Sequence, residues 1–204
     1  HINNQTKSKD LFMRNMMHEL KTPITKAMFI AETLEDEKKR DILQRAFHRM
    51  DDIIKELAMV EKLTSNNTFV YKELTSFFRI YKKTVEITML NADQITSKIN
   101  DFKLNADTAM LSVALKNLID NAIKFSSDKH AFIHANMHRV DVISTGEPLK
   151  FNLEYYTEPF SQEEKRSDGF GLGLYIVKTI ANLHDYRLIY KHQKGQNIFS
   201  ILID

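Results

Sequence analysis

The sequence contains no cysteine, which removes a disulfide framework, a thiolate zinc site and a cysteine nucleophile in one step. That absence suits a reducing cytoplasm. Long apolar runs are also missing: none approaches the roughly 18 residues that span a bilayer. The opening residues HINNQTKSKD lack the apolar core of a signal peptide. Nor is there an excess of one charge, with 29 Lys+Arg against 27 Asp+Glu, so no broad basic field exists for nucleic acid or a membrane surface. Glycine is scarce, and three of the 5 fall together at positions 169, 171 and 173. What is present, 43% hydrophobic and 27% charged residues in a chain of 204, fits one or two globular units. The chain opens on His1 and enters a helical pattern almost at once, so it reads as a piece of something longer.

From about Asp10 to Leu63 the apolar spacing is helical. Phe12, Met16, Leu20, Pro23, Ala27, Ala31 and Leu34 follow at steps of three and four, and Leu43, Ala46, Met50, Ile53, Leu57 and Val60 form a heptad seam. The charged run EDEKKR between them is expected to turn the chain back as an antiparallel hairpin. A hairpin with apolar seams on both arms cannot bury them alone, so a homodimer closing a four-helix bundle is expected. The polar break TSNNT, Thr64 to Thr68, sets the boundary between residues 1–65 and 66–204. Beyond it, helices are expected over Tyr71–Lys83, Asp107–Phe125 and Leu174–His184. Strands are expected over Ala131–Asn136, Arg139–Ser144, Tyr186–Lys191 and Asn197–Ile203. Helices and largely antiparallel strands in separate runs indicate an α+β sandwich.

Three motifs carry chemistry. In MHELKTP, Met17 to Pro23, the seam positions Met16 and Leu20 each lie two residues from His18, which therefore points away from the buried stripe. Glu19 can take one imidazole proton and leave the other nitrogen nucleophilic, and Thr22 lies one turn further along the same exposed face. In NLIDNAIKFS, Asn117 to Ser126, the residues Asn117, Asn121 and Lys124 share one helix face. Two carboxamide oxygens and an ammonium suit a hydrated Mg²⁺ and the phosphates it bridges. In DGFGLGL, Asp168 to Leu174, the glycines let backbone amides approach an anion at the start of the next helix. The spacing matches neither the P-loop nor the dinucleotide fingerprint.

In this order and at these distances the motifs resemble the sensor histidine kinases of two-component signalling. MHELKTP looks like the phosphoacceptor box, NLIDNAIKFS the asparagine box, TEPF (Thr157 to Phe160) the phenylalanine box and DGFGLGL the second glycine box. The resemblance covers essentially the whole chain. It implies a dimeric four-helix bundle built from the hairpin, followed by an ATP-binding sandwich of the GHKL type. It implies that His18 is phosphorylated from ATP, that Glu19 is its acid/base partner, and that Thr22 positions water when a partner is dephosphorylated. Asn117 and Asn121 would hold Mg²⁺ and phosphates, Lys124 would contact phosphate oxygens, and Gly169, Gly171, Gly173 and Leu174 would border the triphosphate. The phosphoryl group would pass to an aspartate on the receiver domain of a response regulator. The chain would be the cytoplasmic portion of an inner-membrane bacterial sensor, attached through an N-terminal sensor region outside these residues. One box departs: where the first glycine box places an Asp against the adenine amino group, VISTGEPL has Ser144, keeps Gly146, and puts Pro148 at the second glycine. A serine is shorter and uncharged, so ATP binding is expected to be weaker. Ser144 alone supports a second reading, a degenerate kinase serving as a dimeric scaffold, which the intact asparagine and glycine boxes oppose.

Overall fold

Asp36 decides where the second helix of the chain begins. Its carboxylate accepts from the backbone amides of Lys38 and Lys39, at 3.1 and 3.2 Å, and so satisfies donors that the first turn leaves open. In the computed structural model, which describes residues 20, 23–65, 68–88, 92–161 and 171–203, the chain divides into two units, His1–Thr68 and Phe69–Asp204.

The first unit contains α1, helical over residues 23–32, and α2, Glu37–Thr64. The charged run expected as a turn belongs largely to α2: only residues 33–36 connect the arms, and Glu37 to Arg40 form the first helical turn. Arg40 Nη1 donates back to the Leu34 carbonyl at 3.2 Å, and Thr33 Oγ1 donates to Ile30 O at 2.7 Å, closing the C-terminal end of α1. The arms meet through Ile24 and Ile54, both buried, with Met28, Phe47, Leu57 and Ala58 around them. As expected of a hairpin that cannot bury its seams alone, part of each seam stays uncovered. Leu20, Leu43 and Met50 are exposed, as are Phe29, Ile30 and Ile42. One antiparallel neighbour covers only part of each arm's apolar circumference, so part of the heptad seam stays outside the hairpin.

In the second unit, β1 (Glu73–Ser76) pairs antiparallel with β3 (Lys103–Ala106). A five-stranded sheet runs β2-β4-β5-β7-β6, with β2 Ile95–Ile99, β4 Ala131–Asn136, β5 Arg139–Thr145, β6 Arg187–Gln193 and β7 Gln196–Leu202. Only the β2–β4 pair is parallel. One sheet face carries α3 (Phe77–Thr88), α4 (Thr108–Phe125) and α6 (Gly173–Leu183), while α5 (Leu153–Tyr156) is a single turn. Helix α4 lies between α3 and α6 and over β4 and β5. Its expected line Leu111, Leu115, Leu118 and Ala122 is buried against Ile133, Ala135, Val140, Val142, Ile176 and Ile180. On the opposite sheet face, buried Asp141 accepts from Ser200 Oγ at 2.6 Å and from Arg139 Nε at 3.0 Å.

The helix expected over Tyr71–Lys83 starts later and ends later, at Phe77–Thr88, with β1 ahead of it. The cause is distant in sequence. Asp101 accepts from Ser76 Oγ and from the Phe78 amide, the Phe77 amide donates to Phe102 O, and the two phenyl rings stack with centroids 5.2 Å apart. Strands β1, β2 and β3 are absent from the sequence expectations: β1 and β2 are short and mostly exposed, and β3 alternates over only four residues, too few to stand out.

His184 ties α6 to α4. Its Nδ1 donates to Ile180 O at 2.8 Å and its Nε2 accepts from the Asp107 amide at 3.0 Å, while Asp107 caps α4. The ring is buried, and burial, assisted by the charge of Lys72, lowers its pKa below the ordinary histidine value. The unfolded chain therefore binds a proton that the folded chain refuses. The stabilisation is complete above the unfolded pKa of about 6.5 and is lost progressively as pH falls from there through the lower folded pKa. Urea unfolding should show stability dropping between about pH 7.5 and 5.5, and His184→Gln should be less stable at pH 7.5 but flatter across that range. An unchanged pH slope in the variant would remove His184 as the source.

Candidate functional site

The asparagine box sits on the half-buried flank of α4, opposite the residues that fix the helix in the core. Asn117 Nδ2 donates to the Val113 carbonyl one turn back at 2.9 Å, which holds the carboxamide in a defined pose. Its Oδ1 lies where a side chain on Gly173 would touch it, 3.2 Å from an added Cβ, and Asn121 Nδ2 lies 3.6 Å from the same point. Gly173 thus opens the first turn of α6 directly onto both asparagines. The N-cap of α6 is Leu172, fully buried and without a capping group, so no side chain of its own occupies the first-turn amides. Leu174 is half-buried on that turn. Lys124 lies further along α4 with Nζ 5.2 Å from the centroid of the Phe125 ring.

Gly171 is held by a different constraint. Its φ is +72°, and an added Cβ would come within 2.5 Å of Ser161 O and 2.8 Å of Phe160 C. The glycine is required both by the left-handed backbone and by the close approach of the chain that follows TEPF. That stretch is itself tied to α6, because Thr157 Oγ1 accepts from Lys178 Nζ at 3.1 Å and donates to Glu154 O at 3.0 Å. Sequence reasoning placed TEPF near the site but gave no hint of Lys178.

At the C-terminal end of α4 lies the departing glycine box. An added Cβ on Gly146 would lie 3.4 Å from Phe125 O and 3.3 Å from Asn197 Nδ2. Ser144 is directly opposite Asn197 in the β5–β7 ladder and shares the helix-facing side with Val140 and Val142. The serine is 7% exposed, and its hydroxyl has no hydrogen-bond partner among the described residues. The chain after it is braced by groups the sequence did not reveal. Asn197 Nδ2 donates to Glu147 O at 3.0 Å and its Oδ1 accepts from Tyr190 OH at 2.6 Å. Tyr190 OH in turn accepts from the Leu149 amide at 3.0 Å, and His192 Nε2 lies 3.1 Å from Gly146 O. Only the cross-strand register of β5, β6 and β7 brings these together, and no local motif encodes it.

The structure therefore brings Asn117, Asn121, Gly171, Gly173 and Leu174 together beside the middle of α4, and Ser144 and Gly146 to its C-terminal end. His18, Glu19, Thr22 and Gly169 lie outside the described residues. Asn117 and Phe125 are eight residues apart, about 12 Å along the helix axis at 1.5 Å per residue. The donor set fits a purine nucleotide and its cation. An uncapped helix start facing two carboxamides suits phosphate and a hard metal ion, and a serine hydroxyl that no described protein group engages suits the polar edge of a base.

Residues 8–66 match the family described as His Kinase A (phospho-acceptor) domain, and residues 106–204 match Histidine kinase-, DNA gyrase B-, and HSP90-like ATPase. The chain belongs to the sensor histidine kinases. This kinase is 32% identical over 205 residues to Sensor histidine kinase ArsS of Helicobacter pylori, covering 98% of the chain and 48% of that protein. It is 26% identical over 217 residues to Autoinducer 2 sensor kinase/phosphatase LuxQ of Vibrio parahaemolyticus, covering 91% of the chain and 25% of that protein. The chain thus spans half or less of the length of these relatives. In fold it resembles the Acinetobacter baumannii histidine kinase AdeS, with a TM-score of 0.65 at 17% identity over 92% of this chain and 94% of that one. It also resembles full-length ShkA, solved in complex with AMPPNP, with a TM-score of 0.68 at 17% identity over 93% of this chain and 45% of that one. The expected architecture, a helical hairpin followed by a GHKL-type sandwich, is the one observed. No helix among the described residues is long and apolar enough to cross a membrane.

The contact between Gly173 and the asparagines generates a direct expectation. Gly173→Val should push the two carboxamides out of register and weaken Mg²⁺–ATP binding by about tenfold or more, equivalent to about 1.4 kcal/mol. The thermal midpoint should move little, since Gly173 is half-buried at a helix end. Calorimetric titration of the full chain checks this, and wild-type affinity in a folded variant would contradict it.

Proposed function

We propose that this kinase uses ATP and Mg²⁺ to phosphorylate its own His18 and passes the phosphoryl group to an aspartate of a response regulator receiver domain. The observation that supports this best is the facing of Asn117 and Asn121 onto the uncapped start of α6 across Gly173. In this reading residues 66–204 bind the nucleotide and residues 1–65 dimerise and carry the histidine. Asn121 and Asn117 hold Mg²⁺, which neutralises phosphate charge. Lys124 and the amides of the Gly169–Leu174 segment steady the phosphates, while Ser144 and Gly146 receive the base. The uncharged nitrogen of His18 attacks the γ-phosphorus as the bond to the β–γ bridging oxygen breaks, and Glu19 holds the proton on the other ring nitrogen. Most of the rate then comes from positioning and charge neutralisation.

The exposed apolar residues Leu20, Phe29, Ile30, Leu43 and Met50 support homodimerisation through the hairpin. A second copy that covers them completes the four-helix bundle. The relatives' names support a two-component role, and the fuller reading is the cytoplasmic part of a bacterial membrane sensor.

Incubation with γ-labelled ATP and Mg²⁺ should give an acid-labile, base-stable label that is absent from His18→Gln. Labelling of that variant at the wild-type rate would refute the assignment, and a catalytically silent scaffold would give no label in the parent chain. Thr22, four residues on from His18 in the sequence, is assigned to dephosphorylation of the regulator. Thr22→Ala should keep autophosphorylation and slow loss of phosphate from the regulator, measured by release of inorganic phosphate. Loss of autophosphorylation in a folded Thr22→Ala protein would overturn this division of labour.

A further inference from the structure

We propose that the base pocket of this kinase reads purines without a fixed charged acceptor, and so accepts guanine as well as adenine nucleotides. The proposal rests on the nucleotide-site reading above and concerns Ser144 with the network behind it. Adenine presents an amino donor at C6, whereas guanine presents a carbonyl acceptor there. A carboxylate at this position is acceptor-only: it welcomes the amino group and sets two acceptors face to face with guanine. A site of that kind discriminates strongly, because the wrong base leaves buried polar groups unpaired.

Ser144 does not impose that choice. Its hydroxyl is one donor and two acceptors on a freely turning bond, and no protein group among the described residues fixes its direction. The serine is 7% exposed and its hydroxyl is not sealed from the surface, so a bound ligand can reach it. It can accept from adenine or donate to guanine.

The carboxylates around it do not substitute for the missing one. Asp141 lies on the other sheet face, held by Ser200, Arg139 and His134. Asp128 is exposed, accepts from the His130 amide, and is hydrogen-bonded by the side chain of Thr145, whose position on β5 is opposite in facing to Ser144. Glu147 presents its backbone carbonyl to Asn197 while its side chain is exposed.

Asn197 is the positioning residue of this pocket. Its amide is engaged at both ends, by Tyr190 OH and by Glu147 O, which sets its orientation and anchors the chain from Gly146 to Leu149 beside Ser144. The rigid frame therefore carries no carboxylate, and the serine hydroxyl is free to turn against it.

The test is competition of ATP and GTP, each with Mg²⁺, against a fluorescent ATP analogue on the full chain, in the parent protein, Ser144→Asp and Ser144→Ala. In the parent, GTP should bind within about thirtyfold of ATP, the scale of a single modest contact rather than of a rejecting site. Ser144→Asp should tighten ATP by about five- to thirtyfold, the usual worth of a hydrogen bond to a charged group, and weaken GTP, so that the ratio rises at least tenfold. Ser144→Ala should weaken both nucleotides to a similar degree. A parent protein that binds ATP but takes GTP more than about thirtyfold less well overturns the proposal and leaves the nucleotide site standing, and this holds even if the aspartate variant fails to fold. An unchanged ratio in folded Ser144→Asp also overturns it. Failure of the parent to bind either nucleotide overturns the nucleotide site itself.

Discussion

Burial of one face of α4 is the constraint on which the second unit depends. Leu111, Leu115, Leu118 and Ala122 are fixed against the sheet and α6, so rotation of the helix is not available. Each fully buried aliphatic side chain is worth about 1.5–3 kcal/mol, and turning the helix would expose several together. The remaining flank is thereby aimed. Asn117, Asn121 and Lys124 need no further device to share a direction, and the start of α6 has only to stay bare, which Gly173 and the side-chain-silent cap Leu172 ensure.

The same helix sets the length of the site. Its middle meets the glycine-rich start of α6 and its C-terminal end meets Gly146. A polar network in the last two strands then fixes the chain beyond Gly146. Under the proposed function, phosphate recognition hangs on a helix and base recognition on a hairpin. The second can change without disturbing the first, which is why a serine can stand where the family's pattern has a carboxylate while the asparagine and glycine boxes remain whole.

The parts legible in the sequence were those governed by local periodicity or by residues with only one use. The 3.6-residue pattern of α4, the alternation of β4 and β5, and the glycine cluster ahead of α6 were each visible within a short window. The start of α3 was misplaced because its cap comes from Asp101, over twenty residues away; β1 and β2 are too short and exposed to carry a pattern, and the alternation of β3 lasts only four residues. In the hairpin the spacing was right, and what it left open was which neighbour covers which part of each stripe. Ile24 and Met28 face the other arm, while Leu20, Leu43 and Met50, assigned to the seam, face outward. A period identifies an apolar stripe but cannot say which of two neighbours covers which part of it. Tyr190, His192 and Asn197 could not be associated with Gly146, since only the sheet register brings them there.

The two margins of the five-stranded sheet bear on how copies of this chain can associate. Neither β2 nor β6 pairs with a further described strand on its outer side, and such margins invite uncontrolled strand addition between molecules. Both are defended by composition. β2 is five residues long and presents Thr96, Ser97 and Lys98 to solvent, and β6 carries Arg187 and Lys191. Charged, short margins disfavour sheet-to-sheet growth, whereas the hairpin leaves isoleucine, leucine, phenylalanine and methionine uncovered. The proposed dimer fits this distribution: a closed two-fold pairing of helices covers the apolar residues, whereas an open-ended fibre of strands would have to pair charged margins.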